Sequence, residues 1–146
     1  MKSIFDKSAY AEILDRLNKL TNQSQRQWGK MDVAQMLAHC NRPIDYYLGK
    51  LELKPAGNFL IRLFKPLLYN DSSFGKGAPT AREFIITDNR VFEDERIRLI
   101  ESLKEITARG EKYDWPPHVT FGKMTGEQYG KSIYKHLSHH LTQFGC

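Results

Sequence analysis

Apolar residues recur along most of the chain at spacings of three and four, and no stretch alternates for long enough to form a half-buried strand. Four long segments follow this helical pattern: about 6–20, a segment that begins at Asp32 and keeps its apolar face as far as Leu51, about 92–108, and about 125–144. Capping boxes mark two of the starts, because Asp32 is followed by Gln35 and Thr125 by Gln128. The pattern therefore predicts an all-α fold, a four-helix bundle with an additional short helix.

The additional helix is predicted over about 58–69, where apolar residues cover nearly the whole helical surface and Pro66 interrupts the pattern. A surface of this kind predicts burial, and the proline predicts a bend, so we expect an insert in the bundle or a contact between subunits. The following segment, Asn70 to Arg90, has no helical pattern. Connections of that length are uncommon in compact domains and more often carry function than short ones.

Composition narrows the class of protein. With 146 residues, 40% hydrophobic and 27% charged, the chain is expected to form one domain over 1–146. The net charge of +5 is spread along the sequence, so we expect no nucleic-acid partner. No apolar run approaches the roughly 20 residues that cross a bilayer, and the expectation is a cytoplasmic protein with no membrane contact. The two cysteines, Cys40 and Cys146, lie far apart and are expected to be free thiols.

The chemistry of the sequence is concentrated in the last helix. His136 and His140 lie about 40° apart on that helix, on the side of its apolar residues. Residues four apart place their Cβ atoms about 5–6 Å from each other, from which two imidazoles reach one ion through bonds of about 2.0–2.1 Å. His139 lies towards the edge of the apolar stripe and is expected to support a ligand or to face solvent. The alternative is a pair of histidines that faces the core without a metal, as amphipathic helices often have.

A third ligand has to come from another element, and His39 is the candidate because it is the one histidine on a second predicted helix. It lies about 120° from the centre of that helix's apolar face, so it would act at a seam between helices. Pro43 cannot donate to the carbonyl of residue 39, which predicts a kink at this turn. Gln143, one turn after His140, is placed to hydrogen-bond a ligand ring or a bound water, or else to face solvent.

Several runs of the sequence resemble a known family. These are Trp28-Gly29-Lys30-Met31, Met36-Leu37-Ala38-His39-Cys40, His118 with Phe121-Gly122-Lys123, and the stretch from Lys135-His136-Leu137 through His139-His140-Leu141 to Gln143-Phe144-Gly145. Together they resemble the DinB-like superfamily, in an uncharacterised branch, over most of the chain. The resemblance implies a four-helix bundle, commonly homodimeric, that holds a divalent ion with one histidine of the second helix and an H-x3-H pair of the last.

Carried onto this sequence, the ligands that the resemblance implies are His39, His136 and His140. The superfamily often continues its last histidine as His-Arg-Gly-Gln, whereas here Leu141 and Thr142 separate His140 from Gln143. Better-understood relatives are metal-dependent thiol transferases and a thiol-dependent isomerase. The resemblance therefore implies a small-molecule substrate and a low-molecular-weight thiol as cosubstrate, with the substrate handling unsettled by the missing arginine.

Two functions follow as hypotheses. Three neutral histidines leave an ion its charge and open positions, a pattern typical of catalytic sites. We therefore expect a metal-dependent enzyme of the thiol-S-transferase or hydrolase type, using Zn, Ni, Mn or Fe. His118, in the loop before the last helix, is the candidate catalytic acid or base, although a loop histidine that hydrogen-bonds nearby backbone is an equal alternative. The second hypothesis is a metal-free or vestigial bundle that acts as a homodimeric interaction module.

Overall fold

The computed structural model describes residues 1–146 and contains five α-helices with no β-strand. The helices are α1 (Lys7–Lys19), α2 (Val33–Tyr47), the four-residue α3 (Phe59–Arg62), α4 (Phe92–Arg109) and α5 (Gly126–Gln143). Two short 3₁₀ helices, Lys65–Leu68 and Arg82–Phe84, lie in the connection between α2 and α4. An antiparallel bridge joins His118 and Gly122 ahead of α5. The prediction of an all-α fold with four long helices and a short one is confirmed.

Local signals in the sequence set where the helices begin. Asp32 accepts a hydrogen bond from the amide of Gln35 at 2.8 Å, and the Gln35 side chain accepts one from the amide of Asp32 at 3.0 Å. Thr125 and Gln128 form the same reciprocal pair at the start of α5, with distances of 3.2 and 3.0 Å. Both capping boxes are confirmed. They satisfy amides that the first turn of a helix cannot pair with its own backbone.

The four long helices share one hydrophobic cluster of 21 buried residues. Its fully buried members come from every long helix: Ile13 and Leu17 from α1, Met36, Leu37 and Ile44 from α2, Leu99, Leu103 and Ile106 from α4, and Tyr129, Leu137 and Leu141 from α5. α2 packs against α4 on one side and α5 on another, and α1 packs on α5. As a result 12 of the 15 residues of α2 are buried, and this helix has hardly any solvent face.

Polar contacts fix how the helices are paired. Arg16 on α1 donates to the hydroxyls of Ser138 and Thr142 on α5, at 2.8 Å each. Between α2 and α4, the buried amide of Asn41 donates to the Glu95 carboxylate at 3.0 Å. Arg98 of α4 then bridges to Asp45 of α2 at 2.9 Å. A buried polar group without a partner costs stability, so these pairings favour one register of the helices over others.

The structure contradicts the prediction that residues 58–69 form one helix buried in the bundle, while the contact between subunits stays a prediction. α3 ends at Arg62 and is followed by a 3₁₀ helix with Pro66 at its second position. Most apolar side chains of this segment face outward, with Phe59 75% and Leu63 62% exposed. The four long helices already fill the core among themselves. An apolar pattern shows that a segment is rich in apolar residues, but it does not show whether another element of the fold covers them.

Both cysteines are free thiols, as predicted, with Cys40 buried and Cys146 partly buried. Cys40 belongs to the hydrophobic cluster, and burial raises the pKa of its thiol far above the ordinary range, so it packs as a small apolar residue. None of the helices combines the length and the apolarity that crossing a bilayer requires.

Candidate metal centre

Three histidines from two helices converge in the interior of the bundle. One ring nitrogen from each of His39, His136 and His140 lies within 4.8 Å of the other two. The ring centroids are 4.6 to 4.9 Å apart. His39 and His140 are buried, with 4% and 8% of their surface exposed, and His136 is partly buried. The three histidines that the sequence predicts as ligands therefore lie close together in the fold.

The two helices reach this point in different ways. On α5 the four-residue spacing places His136 and His140 on one face, directed toward α2. His39 lies off the apolar face of α2, at the seam between that helix, α5 and the 3₁₀ helix Arg82–Phe84. α2 runs without a break through Pro43 as far as Tyr47.

Hydrogen bonds at Nδ1 fix the orientation of two of the rings. His39 Nδ1 donates to the carbonyl oxygen of Phe84 at 2.8 Å. His140 Nδ1 donates to Oε1 of Gln143 at 2.8 Å, and the Gln143 amide donates in turn to the carbonyl oxygen of Trp28 at 2.7 Å. A carbonyl oxygen only accepts, so each Nδ1 carries the proton and each Nε2 presents its lone pair. This is the tautomer that binds a metal through Nε2.

The distances fit a small divalent ion. His39 Nε2 and His136 Nε2 are 2.9 Å apart, and because His39 Nε2 has no proton, His136 Nε2 donates to it. Nitrogen ligands at about 2.0–2.1 Å from a tetrahedral ion lie about 3.3 Å from each other. Displacements of an ångström or so would bring three nitrogens that now lie within 4.8 Å to that separation. The donor set and its spacing fit the ion that the sequence predicts.

Burial keeps the three rings neutral. It lowers the pKa of His39 from its ordinary value, against a smaller opposing effect of the Phe84 carbonyl. Burial, together with the neighbouring histidines, holds the pKa of His136 well below its usual range and lowers that of His140 to about 3. A neutral imidazole is the ligand form, so no proton has to leave the site at neutral pH. The set contains no carboxylate, so a bound ion would keep its full charge.

His139 lies next to this cluster but outside it. Its ring centroid is 5.0 Å from that of His140, and 5.7 Å from those of both Trp28 and Phe74. The ring is partly buried, and burial lowers its pKa. His139 thus packs against a ligand on one side and against two aromatic rings on the other.

His118 lies in the turn before α5 and is not part of the three-histidine group. Its Nδ1 accepts the amides of Thr120 and Phe121 at 3.1 and 3.2 Å. Burial, with a smaller effect of Lys65, lowers its pKa to about 4. The neutral ring therefore carries its proton on Nε2. The backbone contacts that sequence reasoning offered as the alternative are present, and the catalytic role of His118 stays a prediction.

Two groups that orient the ligands have no signature in the sequence, because both are main-chain carbonyls, of Trp28 and Phe84. Gly29 is an indirect sign in the sequence that the Gln143 side chain approaches the backbone beside Trp28. It has φ +86, and a Cβ at this position would lie 2.5 Å from the Gln143 amide nitrogen. Only glycine accommodates both the backbone conformation and the approach of that side chain.

Comparison with known proteins gives one match. The model of a family described as "Protein of unknown function (DUF1569)" matches residues 4–145. Neither the curated proteins nor the solved structures contain a match to the chain.

Proposed function

The chain belongs to DUF1569, a family of unknown function, and from this premise we propose a function on the geometry of its histidines. The protein is a metal-dependent enzyme of the thiol-S-transferase or hydrolase type. It holds one divalent ion, Zn, Ni, Mn or Fe, through His39, His136 and His140. All four metals accept imidazole nitrogen, and three neutral ligands leave coordination positions open.

One observation carries this proposal: one ring nitrogen from each of three histidines lies within 4.8 Å of the other two, while hydrogen bonds hold Nδ1 of His39 and of His140. Packing alone does not explain such an arrangement, because apolar side chains fill the interior of a helical bundle more favourably. Metal sites use the same device, a ring oriented through its second nitrogen.

Different residues of the chain have different roles in the proposed site. The Phe84 carbonyl and Gln143 keep two ligand rings in the binding tautomer, and burial keeps all three neutral. When bound, a divalent ion supplies a Lewis acid that makes a water more acidic or holds the thiolate of a low-molecular-weight thiol. His118, neutral with its proton on Nε2, is the proposed catalytic group, donating a hydrogen bond from that N–H to a small-molecule substrate.

The wider assignment is part of the same proposal. The chain is one domain over 1–146 and a DinB-like bundle that works as a homodimer in the cytoplasm. Four long helices, a histidine on the second and an H-x3-H pair on the last support the superfamily. Two free thiols support a reducing compartment. Leu141 and Thr142 stand where those relatives have arginine and glycine, so no particular substrate is carried over.

Metal content tests the proposal. Protein dialysed against each of the four metals is expected to retain about one equivalent per chain by elemental analysis, and His39→Ala is expected to retain far less. His139→Ala is the matched control, because it removes a neighbouring histidine that lies outside the ligand set. Uptake of none of the four metals, or equal uptake by the two variants, would overturn the assignment.

A second candidate function is a metal-free or vestigial bundle that acts as a homodimeric interaction module. The exposed apolar segment 59–67 favours it, because single-sided apolar patches on soluble proteins commonly mark interfaces. Light scattering is expected to give the mass of a dimer, and Leu63→Asp that of a monomer. A monomeric wild-type protein removes the support for this candidate.

A further inference from the structure

A surface cavity of about 730 Å³, open to solvent, lies beside the candidate metal centre, on the side of α5 that faces the loop after α3. The residues that matter for its chemistry are Trp28, Phe74, Lys76, Lys135 and His139. The volume falls in the range of sites that take small organic ligands. None of the three histidines of the centre lines it.

His139 forms the wall between this cavity and the centre. Its ring packs against the ring of His140 on one side and against those of Trp28 and Phe74 on the other. The backbone connects the two places as well, because the carbonyl of Trp28 accepts the amide of Gln143, which holds His140. A ligand in the cavity is therefore one side chain away from the histidine cluster.

The charges in the cavity are unbalanced. Three lysines line it against a single carboxylate, Asp71, whose side chain is 85% exposed. Lys2 is paired with Glu12, whereas Lys76 and Lys135 have no carboxylate partner. An ammonium group in a partly desolvated cavity attracts an anion more strongly than one in open solvent.

Lys135 is the more unusual of the two because it is buried, with 7% of its surface exposed. Its ammonium donates to the carbonyls of Leu67 and Asn70 and to the Asn70 side chain, all of which are neutral acceptors. Its hydrogen bonds are satisfied by neutral groups and no carboxylate lies within ion-pair distance, so it contributes to an anion site through electrostatic attraction.

Aromatic faces lie directly below the two charges. Lys76 Nζ is 4.9 Å from the centre of the Trp28 ring, and Lys135 Nζ is 4.4 Å from that of Phe74. A flat apolar group that stacks on these rings brings an attached anionic group close to both ammonium groups. The cavity thus matches a ligand with an anionic end and a planar body.

We infer that this cavity binds a small organic anion with a flat apolar body, held by Lys76 and Lys135 and stacked on Trp28 and Phe74. Carboxylates and phosphate esters share the required chemistry of anionic oxygens, and they differ in charge and size.

Binding is tested on metal-free protein with benzoate, phenyl phosphate and neutral benzamide as probes. The chain has two tryptophans, so NMR of the indole N–H groups carries an internal control: the signal of Trp28 is expected to shift, while that of Trp115, buried in the hydrophobic cluster, stays in place. The two anions are expected to bind more tightly than benzamide, and 0.5 M NaCl is expected to remove most of the difference. The tighter of the two anions identifies the headgroup.

Variants locate the site. Lys76→Gln is expected to weaken benzoate binding about two- to fivefold, the effect of one exposed charge. Lys104→Gln, an exposed lysine of α4 that does not line the cavity, is the matched control and is expected to bind as wild type. Phe74→Leu is expected to weaken all three probes, because it removes a stacking surface and keeps the Trp28 reporter.

Equal binding of benzoate and benzamide, or equal effects of the two lysine variants, would overturn this inference. Because the titration uses metal-free protein, it stands apart from the proposed function. If the NMR signal of Trp28 shifts but the chain takes up no metal, the anion site is supported and the proposed enzymatic function is refuted. If the chain takes up metal but the Trp28 signal does not shift, the metal site is supported and the anion site is refuted.

Discussion

Replacing Gln143 with leucine is the sharpest probe of the metal centre, because it leaves all three ligands in place. The substitution removes the acceptor 2.8 Å from His140 Nδ1 and the donor 2.7 Å from the Trp28 carbonyl. His140 then loses the contact that keeps its proton on Nδ1 and its lone pair on Nε2. Groups that orient a ligand in this way typically contribute 10–100-fold to metal affinity, or about 1.4–2.7 kcal/mol.

The measurement is a competition titration of zinc against a chromophoric chelator, with Kd compared between variants. Gln143→Leu is expected to weaken zinc binding by about 10–100-fold. Gln25→Leu, an exposed glutamine in the turn after α1, is the matched control and is expected to leave Kd unchanged. Gln143→Glu keeps an acceptor for His140 and is expected to bind zinc more tightly than Gln143→Leu.

A loss of stability alone does not reproduce this pattern. Two buried polar groups lose their partners in Gln143→Leu, which costs about 1–3 kcal/mol for each. Chemical unfolding of the metal-free variants measures that effect separately. If zinc Kd of Gln143→Leu stays within about twofold of wild type while its unfolding free energy falls, Gln143 is a packing residue and the tautomer argument is wrong.

Three further outcomes follow from the structure. The folded-state pKa of His118, about 4, lies below the ordinary value of about 6.5, so its stabilising effect is complete above pH 6.5 and is lost as pH falls toward 4. Chemical denaturation is expected to show about 2 kcal/mol of this loss between pH 7.5 and pH 5, and His118→Gln a smaller one. Phe59→Ser is expected to change monomer stability by less than about 0.5 kcal/mol, because Phe59 is 75% exposed; a larger, concentration-dependent loss would mean that another chain covers it. Gly29→Ala is expected to lower the unfolding free energy by about 1–3 kcal/mol and to weaken zinc binding, since its Cβ would meet Gln143; wild-type values in both assays would contradict this.

The sequence was informative where the determinant is local. Helix periodicity and the two capping boxes depend on residues three or four apart, and the structure has them as expected. His136 and His140 were identifiable for the same reason. His39 was harder, because the angular position of a residue says little on a helix that is buried on nearly all sides, as α2 is.

Other features depend on contacts between distant parts of the chain. The carbonyls of Phe84 and Trp28 orient two ligands, and any residue at those positions offers the same carbonyl. Their roles follow from the path of the loops. The prediction that residues 58–69 are buried within the bundle was wrong for a related reason, since exposure in one chain depends on what the rest of its fold has left uncovered.

The three histidines in the interior also lower the stability of the fold, and this cost bears on their function. Three neutral imidazoles occupy the interior, and two of them place Nε2 atoms 2.9 Å apart. Buried polar clusters of this kind are commonly less stable than apolar side chains of the same volume, so a purely structural bundle has no reason to keep them. A bound ion reverses the balance: at a thousandfold over its Kd it stabilises the folded state by about 4 kcal/mol. The energetics of the fold and the chemistry of its histidines therefore both support the proposed ion at the point where the three rings meet.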